Sequence, residues 1–228
     1  MVRCLLVFLV LVGCSHERTA IIFTKTNGWR HTSIPVGIDA VTTMSESLGF
    51  NVVATEDPEV LETADYDLLV FVHPTGEILN DSQRAALRTF VEQGGAFVGV
   101  HAAADAEREH SWYGNTLIGA VFVHHNQIHA LDVEVVDQSH PSTQHLGSLW
   151  PRTDEWYIYD RTPKNVTVLL VIEDEDGRRP IAWCRDVGKG RSFYTGGGHT
   201  IASWSEPKFL EHVRGGIGWA TRTNTDPN

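Results

Sequence analysis

Cysteine is scarce in this chain: of 228 residues only Cys4, Cys14 and Cys184 carry a thiol, and two of the three fall in the first fourteen positions. The body of the protein therefore holds Cys184 alone, which excludes an intrachain disulfide framework and leaves core packing to supply stability. A membrane-spanning segment is also missing. The apolar run from Cys4 to Gly13 is far short of the roughly 20 residues that cross a bilayer. Positive charge is in deficit, with 18 basic against 29 acidic residues and a formal net charge of −11. No run of five like charges occurs. A net negative chain is a poor partner for a phosphate backbone, so nucleic acid is not expected, whereas neutral sugars are untouched by the argument. Internal repeats and linkers rich enough to divide domains are absent too. What remains is an ordinary globular composition, 42% hydrophobic and 21% charged, at a length that suits one generous domain.

The first residues read as a leader. Arg3 precedes a short apolar stretch, the pattern of a signal peptide over residues 1–13. Leu11-Val-Gly-Cys14 resembles a bacterial lipobox, in which a small residue precedes a cysteine that is alkylated by diacylglycerol before cleavage. The other reading is a plain signal peptide that happens to contain a cysteine. The position of Cys14 at the end of the apolar run favours the first. The expectation is an exported protein lipid-anchored to the bacterial envelope through Cys14, touching membrane by that anchor only, with residues 14–18 as a tether.

From Thr19 the pattern is that of an α/β domain. Near-continuous apolar runs at Thr19–Thr24, Asn51–Thr55, Asp67–Val72 and Ala96–Val100 suit strands covered on both faces. Between them, apolar residues at Ile34, Ile38, Val41, Met44 and Leu48, and again at Ala85, Leu87, Phe90 and Val91, repeat at helical spacing. Thr32 or Ser33 can cap the first helix, with Pro35 in its first turn, and Asn80 or Asp81 the second. Strands alternating with helices imply a mostly parallel, doubly wound sheet. After residue 105 the pattern changes. Trp112–Gly119 reads as a short helix and Ala130–Val136 and Val166–Ile172 as strands. Pro180–Arg185 and Arg191–Thr195 flank Gly188-Lys-Gly190 as a hairpin, so antiparallel additions are expected in the C-terminal half. A last helix spans Glu206–Ala220, and residues 221–228 form a tail expected to fray.

Ligands of open α/β sheets bind beyond the carboxyl ends of the strands. Three histidines fall there: His31 in the loop after the first strand, His101 at the end of the fourth, and His199 after Gly196-Gly-Gly198. Val98-Gly-Val-His101-Ala-Ala has the form of a nucleophile elbow, with histidine where hydrolases and glutaminases place Ser or Cys. Imidazole does not readily form their acyl intermediate, so the shape survives without acyl-transfer chemistry. Asp154-Glu-Trp-Tyr157 alternates carboxylates and aromatics, and could offer a base, a metal ligand and a stacking face, or could be a solvated strand edge with two buried aromatics. His125 and His129 would share a metal only on a helix, and their surroundings read as the entry to a strand.

Several separated motifs resemble one family. Asn27-Gly-Trp-Arg-His-Thr32, Gly99-Val-His-Ala-Ala-Ala-Asp105, Thr153-Asp-Glu-Trp-Tyr157, Pro180-Ile-Ala-Trp183, Gly190–Thr195, Gly198-His-Thr200 and Gly215-Gly-Ile-Gly-Trp219 are similar to ThuA-like proteins over about residues 19–220. The resemblance implies a flavodoxin-like sheet of the class I glutamine amidotransferase type, a carbohydrate context tied to trehalose and related disaccharides, and a loosely defined reaction. It matches His101 to the glutaminase elbow and His199 to the glutaminase histidine; glutaminase activity is not expected, because the thiol is missing.

The leading expectation is an enzyme acting on a disaccharide or keto-glycoside. His31, His101, His199, Glu155 and Asp154 would supply acid–base groups, or the three histidines would bind a divalent metal such as Zn, Mn or Ni. Trp29, Trp156, Tyr157, Asp105 and Gly198 would contact a small carbohydrate, with Trp156 as an apolar wall. The histidines are expected to converge on one pocket, with Glu155 or Asp154 at its rim. The alternative is a non-catalytic sugar-binding lipoprotein in which Trp29, Trp112, Trp156 and Tyr157 stack on the ligand.

Overall fold

A computed structural model describes residues 17–223. The leader over 1–13, Cys14 with its lipobox, the first part of the tether and residues 224–228 of the tail lie outside the described residues. Among those described, no helix is long and apolar enough to cross a membrane.

Among the described residues, eleven strands form two sheets. The large sheet has nine, in the order β2-β1-β3-β4-β11-β10-β9-β6-β7. Its first half is parallel: β2 (Asn51–Thr55), β1 (Thr19–Phe23), β3 (Leu68–Val72), β4 (Ala96–Val100) and β11 (Gly190–Thr195). Its second half is antiparallel: β10 (Gly177–Val187), β9 (Thr167–Asp174), β6 (His129–Val135) and β7 (Leu149–Asp154). The order 2-1-3-4 is that of a flavodoxin-like sheet, and the expected fold class holds.

Alternating side chains explain why the strands read as unbroken apolar runs. Ala20, Ile22, Val70 and Val98 enter one core, together with residues of α1 (Ile34–Ser47) and α4 (Pro207–Ala220). Ile21, Phe23, Phe71 and Phe97 enter a second core on the opposite face, shared with Leu87 and Val91 of α3 (Asp81–Gln93). A strand buried on both faces has no polar side to reveal its period. The start of α3 is capped as the sequence suggests: Asn80 and Gln83 exchange hydrogen bonds as a capping box. Ser33 occupies the N-cap of α1 without a side-chain cap hydrogen bond, and its hydroxyl donates to the carbonyl of His199 at 2.7 Å.

Four elements were not foreseen. These are the one-turn α2 (Val60–Thr63), the edge strand β7, and a two-stranded flap in which β5 (Phe122–His125) pairs antiparallel with β8 (Tyr157–Tyr159). Pro151 argues against a central strand, and β7 tolerates it by being outermost in the sheet. The turn expected at Trp112–Gly119 is π-helical, over Tyr113–Ile118. The tail begins ordered: Thr223 accepts a hydrogen bond from Arg18 at 2.8 Å, and its amide donates to Gly218.

Candidate functional site

The loops that leave β1, β3, β4 and β11 meet at the carboxyl edge of the parallel half, and each delivers one histidine: His31, His73, His101 and His199. Ring centroids lie 5.3 Å apart for His31 and His101, 5.1 Å for His31 and His199, and 5.1 Å for His101 and His199. Glu155 enters from the far half of the sheet, just after β7. Its Oε1 sits 3.3 Å from His101 Nε2 and 3.2 Å from His199 Nδ1. One donor atom from each of His31, His101, His199 and Glu155 falls within 4.8 Å of all the others.

His101 is the best-defined member. It occupies the elbow with φ of 49°, a left-handed conformation that strains a non-glycine residue. Tight packing enforces it. A side chain on Gly99 would put its Cβ 3.1 Å from that of Ala103, which is why small residues bracket the histidine. The His101 Nδ1 is 2.7 Å from the carbonyl of Gly196. A carbonyl only accepts, so Nδ1 carries a proton, and a neutral ring then points the Nε2 lone pair inward. There it meets His199 Nδ1 at 3.1 Å as well as the carboxylate. His199 Nδ1 can donate a proton to that lone pair; with His199 in its other tautomer, three lone pairs face one another and a cation would satisfy them together.

The spacing suits a cation. Metal–ligand bonds of about 2.1 Å place adjacent ligand atoms roughly 3.0–3.4 Å apart in octahedral or tetrahedral geometry. The three contacts among His101, His199 and Glu155 measure 3.1, 3.3 and 3.2 Å. Imidazoles suit borderline ions such as Zn and Ni, and the carboxylate extends the set to the harder Mn. His31 Nδ1 is buried without a hydrogen-bond partner, as an atom awaiting a ligand would be.

The electrostatics favour a neutral His31 beside an ionised Glu155. Burial, helped by the neighbouring His101 and His199, pushes His31 down to about 3. Burial by itself would raise the Glu155 carboxyl, but hydrogen bonds with His101 and His199 outweigh it and hold it well below the usual range.

Above this cluster opens a pocket of about 440 Å³, lined by Trp29, Thr32, Asp105, Phe122, His125 and Tyr157 besides His31, Glu155 and His199. Trp29 stands at its mouth, 72% exposed. Tyr157 packs 4.1 Å from the His101 ring and 4.1 Å from Phe122. Asp105 shares the pocket; burial raises its carboxyl, against the pull of Arg108.

Other expected site residues stand elsewhere. Asp154 is wholly buried beneath the cluster and not at its rim. It accepts from the amides of Glu155, Gly198 and His199, from Ser203 Oγ and from Arg152. Trp156 is not a pocket wall: it lies in the core under Arg152 and donates to the carbonyl of His129. Trp112 packs over the other face of the sheet, outside the pocket lining. Gly198 is small for an internal reason. A Cβ there would lie 2.9 Å from Phe209, and one on Gly197 would lie 2.7 Å from Arg152, so the glycine run serves the scaffold more than a ligand. His125 and His129 separate, the first meeting Glu155 Oε2 at 3.1 Å and the second turning to Asp174.

One site residue has no place in the sequence argument. His73 follows β3 just as the others follow their strands, so the same placement argument reaches it. His125 is weighed there only against His129; its contact with Glu155 stays hidden because β5 is too short to read. Cys184 lies in β10 with burial pushing its thiol up to about 12, so among the described residues no activated thiol stands ready for a glutaminase.

The sequence profile of a family described as ThuA, trehalose utilisation, matches residues 19–220. Among solved structures, the chain is similar to a ThuA-like protein from Parabacteroides merdae, with a TM-score of 0.79 at 20% identity, covering 93% of each chain. A ThuA-like protein from Bacteroides uniformis gives a TM-score of 0.74 at 23% identity, covering 93% of this chain and 94% of that one. A β-galactosidase from Rahnella sp. R3 shares the fold over 91% of this chain and 32% of its own, with a TM-score of 0.64 at 13% identity. No curated protein matches the sequence. A profile match spanning nearly the whole described domain, on a sheet shared with ThuA-like structures, settles the family: the chain belongs to the ThuA family, and with it to a role related to carbohydrate utilisation.

Proposed function

We propose that the protein is a divalent-metal-dependent enzyme acting on a disaccharide or keto-glycoside. The observation that carries the reading is the meeting of His31, His101, His199 and Glu155 at the floor of an open pocket. A bound divalent ion would act as a Lewis acid on a carbonyl or hydroxyl oxygen of the sugar. The remaining work falls to the chain. Trp29, Phe122 and Tyr157 offer apolar faces to a sugar ring. Asp105, in the pocket but outside the cluster, has a carboxyl raised by burial and can take or give a proton there. Paired-carboxylate hydrolysis fits poorly, since Asp154 is spent on its five donors. A purely sugar-stacking protein fits less well too: of its four aromatic residues, Trp112 and Trp156 lie outside the pocket lining.

Metal analysis tests the proposal. Purified protein should bind one equivalent of Zn, Mn or Ni, and His101→Ala should abolish stoichiometric binding along with turnover of oxidised disaccharides. Absence of saturable binding by the wild type would overturn the metal, and turnover untouched in His101→Ala would overturn the assigned chemistry.

We also propose export and lipid anchoring at Cys14, supported by Leu11–Cys14. Mass spectrometry of the membrane fraction should find a mature chain that starts at a diacylglyceryl-modified Cys14. An unmodified Cys14 sinks this part.

A further inference from the structure

We infer that His73 is a positioning residue for the candidate metal centre, holding His31 through a ring stack and tying into the His199 loop through Ser33. The inference rests on the metal reading above. His73 is fully buried, so it touches no substrate. It sits where the chain leaves β3, between β1 and β4 in the sheet, and therefore under the loops that carry His31 and His101. Its φ is 55°, so this residue, like His101, is kept in the left-handed region by its surroundings.

The other members of the cluster have polar partners. His101 has the Gly196 carbonyl, Glu155 has His125, and His199 contacts both His101 and Glu155. The His31 ring makes no hydrogen bond among the described residues, and its neighbours are other rings. The flattest of those contacts is His73, at 4.9 Å between centroids and 24° between planes, while His101 and His199 meet it edge-on. His73 is itself backed by Trp204 at 6.0 Å and 78°. Trp204 in turn donates to the Gly198 carbonyl beside His199. The stack thus fixes the plane of the one ligand that lacks a polar anchor.

The second tie is through Ser33. Its hydroxyl proton goes to the His199 carbonyl at 2.7 Å, which leaves its oxygen free to accept from His73 Nε2 at 3.5 Å. With Nε2 protonated, the other nitrogen is a bare lone pair, and His73 Nδ1 is indeed buried without a partner. A leucine or phenylalanine would fill the space without stranding a polar atom. An imidazole retained at that cost joins the His31 plane to the His199 backbone, which a plain filler cannot do. Outer residues that orient metal ligands commonly change affinity by about 10–100-fold when replaced.

Co(II) binding to the purified protein, followed by its visible spectrum and by competition with a chelating dye, tests this. His73→Leu should weaken Co(II) binding at least tenfold and change the spectrum, and His73→Phe, which restores the stacking ring but not the tie to Ser33, should recover part of the loss. Should the leucine variant fail to fold, His73→Gln, which lacks a ring, carries the same expectation. A role in packing alone would lower the melting temperature and leave spectrum and affinity at wild-type values; that result overturns the inference, as does a phenylalanine variant no better than leucine. Failure of the wild type to bind Co(II) is a separate outcome and removes the metal centre itself.

Discussion

Replacing Asp154 by alanine should lower the unfolding free energy by about 3–5 kcal/mol, the cost of stripping one partner from a buried ion pair. For a domain of this size that corresponds to a fall of roughly 6–20 °C in melting temperature. Asp154 has no exposed surface, and its partner Arg152 is nearly as buried, 2.8 Å away. Without the carboxylate, Arg152 keeps Glu206 at 3.4 Å as its remaining ionic partner. The amides of Glu155, Gly198 and His199 lose their acceptor at the same time. Two of those residues carry ligands of the candidate centre, so metal affinity should fall together with stability. Asp154→Asn separates charge from shape. Whichever oxygen becomes an amide nitrogen points hydrogens at existing donors, so this variant should also lose several kcal/mol relative to the wild type. A thermal melt by circular dichroism decides the matter. A shift under about 2 °C for the alanine variant, less than a single kcal/mol at this size, would show that the clamp contributes nothing.

The contrast between Asp154 and Glu155 also shows where sequence reading stops. The parallel half of the sheet was legible because its strands are short apolar runs separated by helical periods. From that followed the carboxyl edge, and from the edge the convergence of His31, His101 and His199. Adjacent carboxylates could be assigned to opposite sides, but nothing local says which one faces the pocket. That is decided by Gly198 and His199, more than forty residues away, whose amides claim Asp154. In the same way His101 is oriented by Gly196, 95 residues on. Trp156 reads like a stacking platform until Arg152 and the first core are in place around it. The flap escaped notice because β5 and β8 have only four and three residues, too few to display a period. The features that remained hidden are those fixed by partners distant in sequence, whereas local periodicity and strand ends carried the rest.

The second large effect expected is acid unfolding, with a midpoint between about pH 4 and 5.5 in the presence of a chelator. Four buried histidines are held below their ordinary value of 6.5, with burial the first cause in each: His31 and His212 to about 3, His140 to about 4, and His73 well below. An unfolded chain protonates these rings as pH falls through 6.5, while the folded chain refuses the protons until far lower pH. Between the two values the unfolded state binds more protons, so stability rises with pH and is lost on acidification. Each ring can contribute about 1.4 kcal/mol per pH unit over that window. At pH 5 His31, His140 and His212 together reach roughly 6 kcal/mol, with His73 acting in the same direction, and that is comparable to the whole stability of many domains, about 5–15 kcal/mol. Glu155 works in the same direction: its folded value is depressed, so its contribution is present above the ordinary carboxylate value of 4.5 and disappears as it is protonated. Asp105 works the other way, because burial raises its carboxyl and protonation relieves it, but it is a single group against five. The chelator matters, since bound metal would lend its own acid-sensitive stability. Far-ultraviolet circular dichroism across pH 3–7 reads the midpoint, and His140→Gln, which removes a buried ring outside the candidate site, should move it to lower pH. A fold that survives intact below pH 3 would mean that these imidazoles gain their protons without unfolding, and that burial does not hold them neutral.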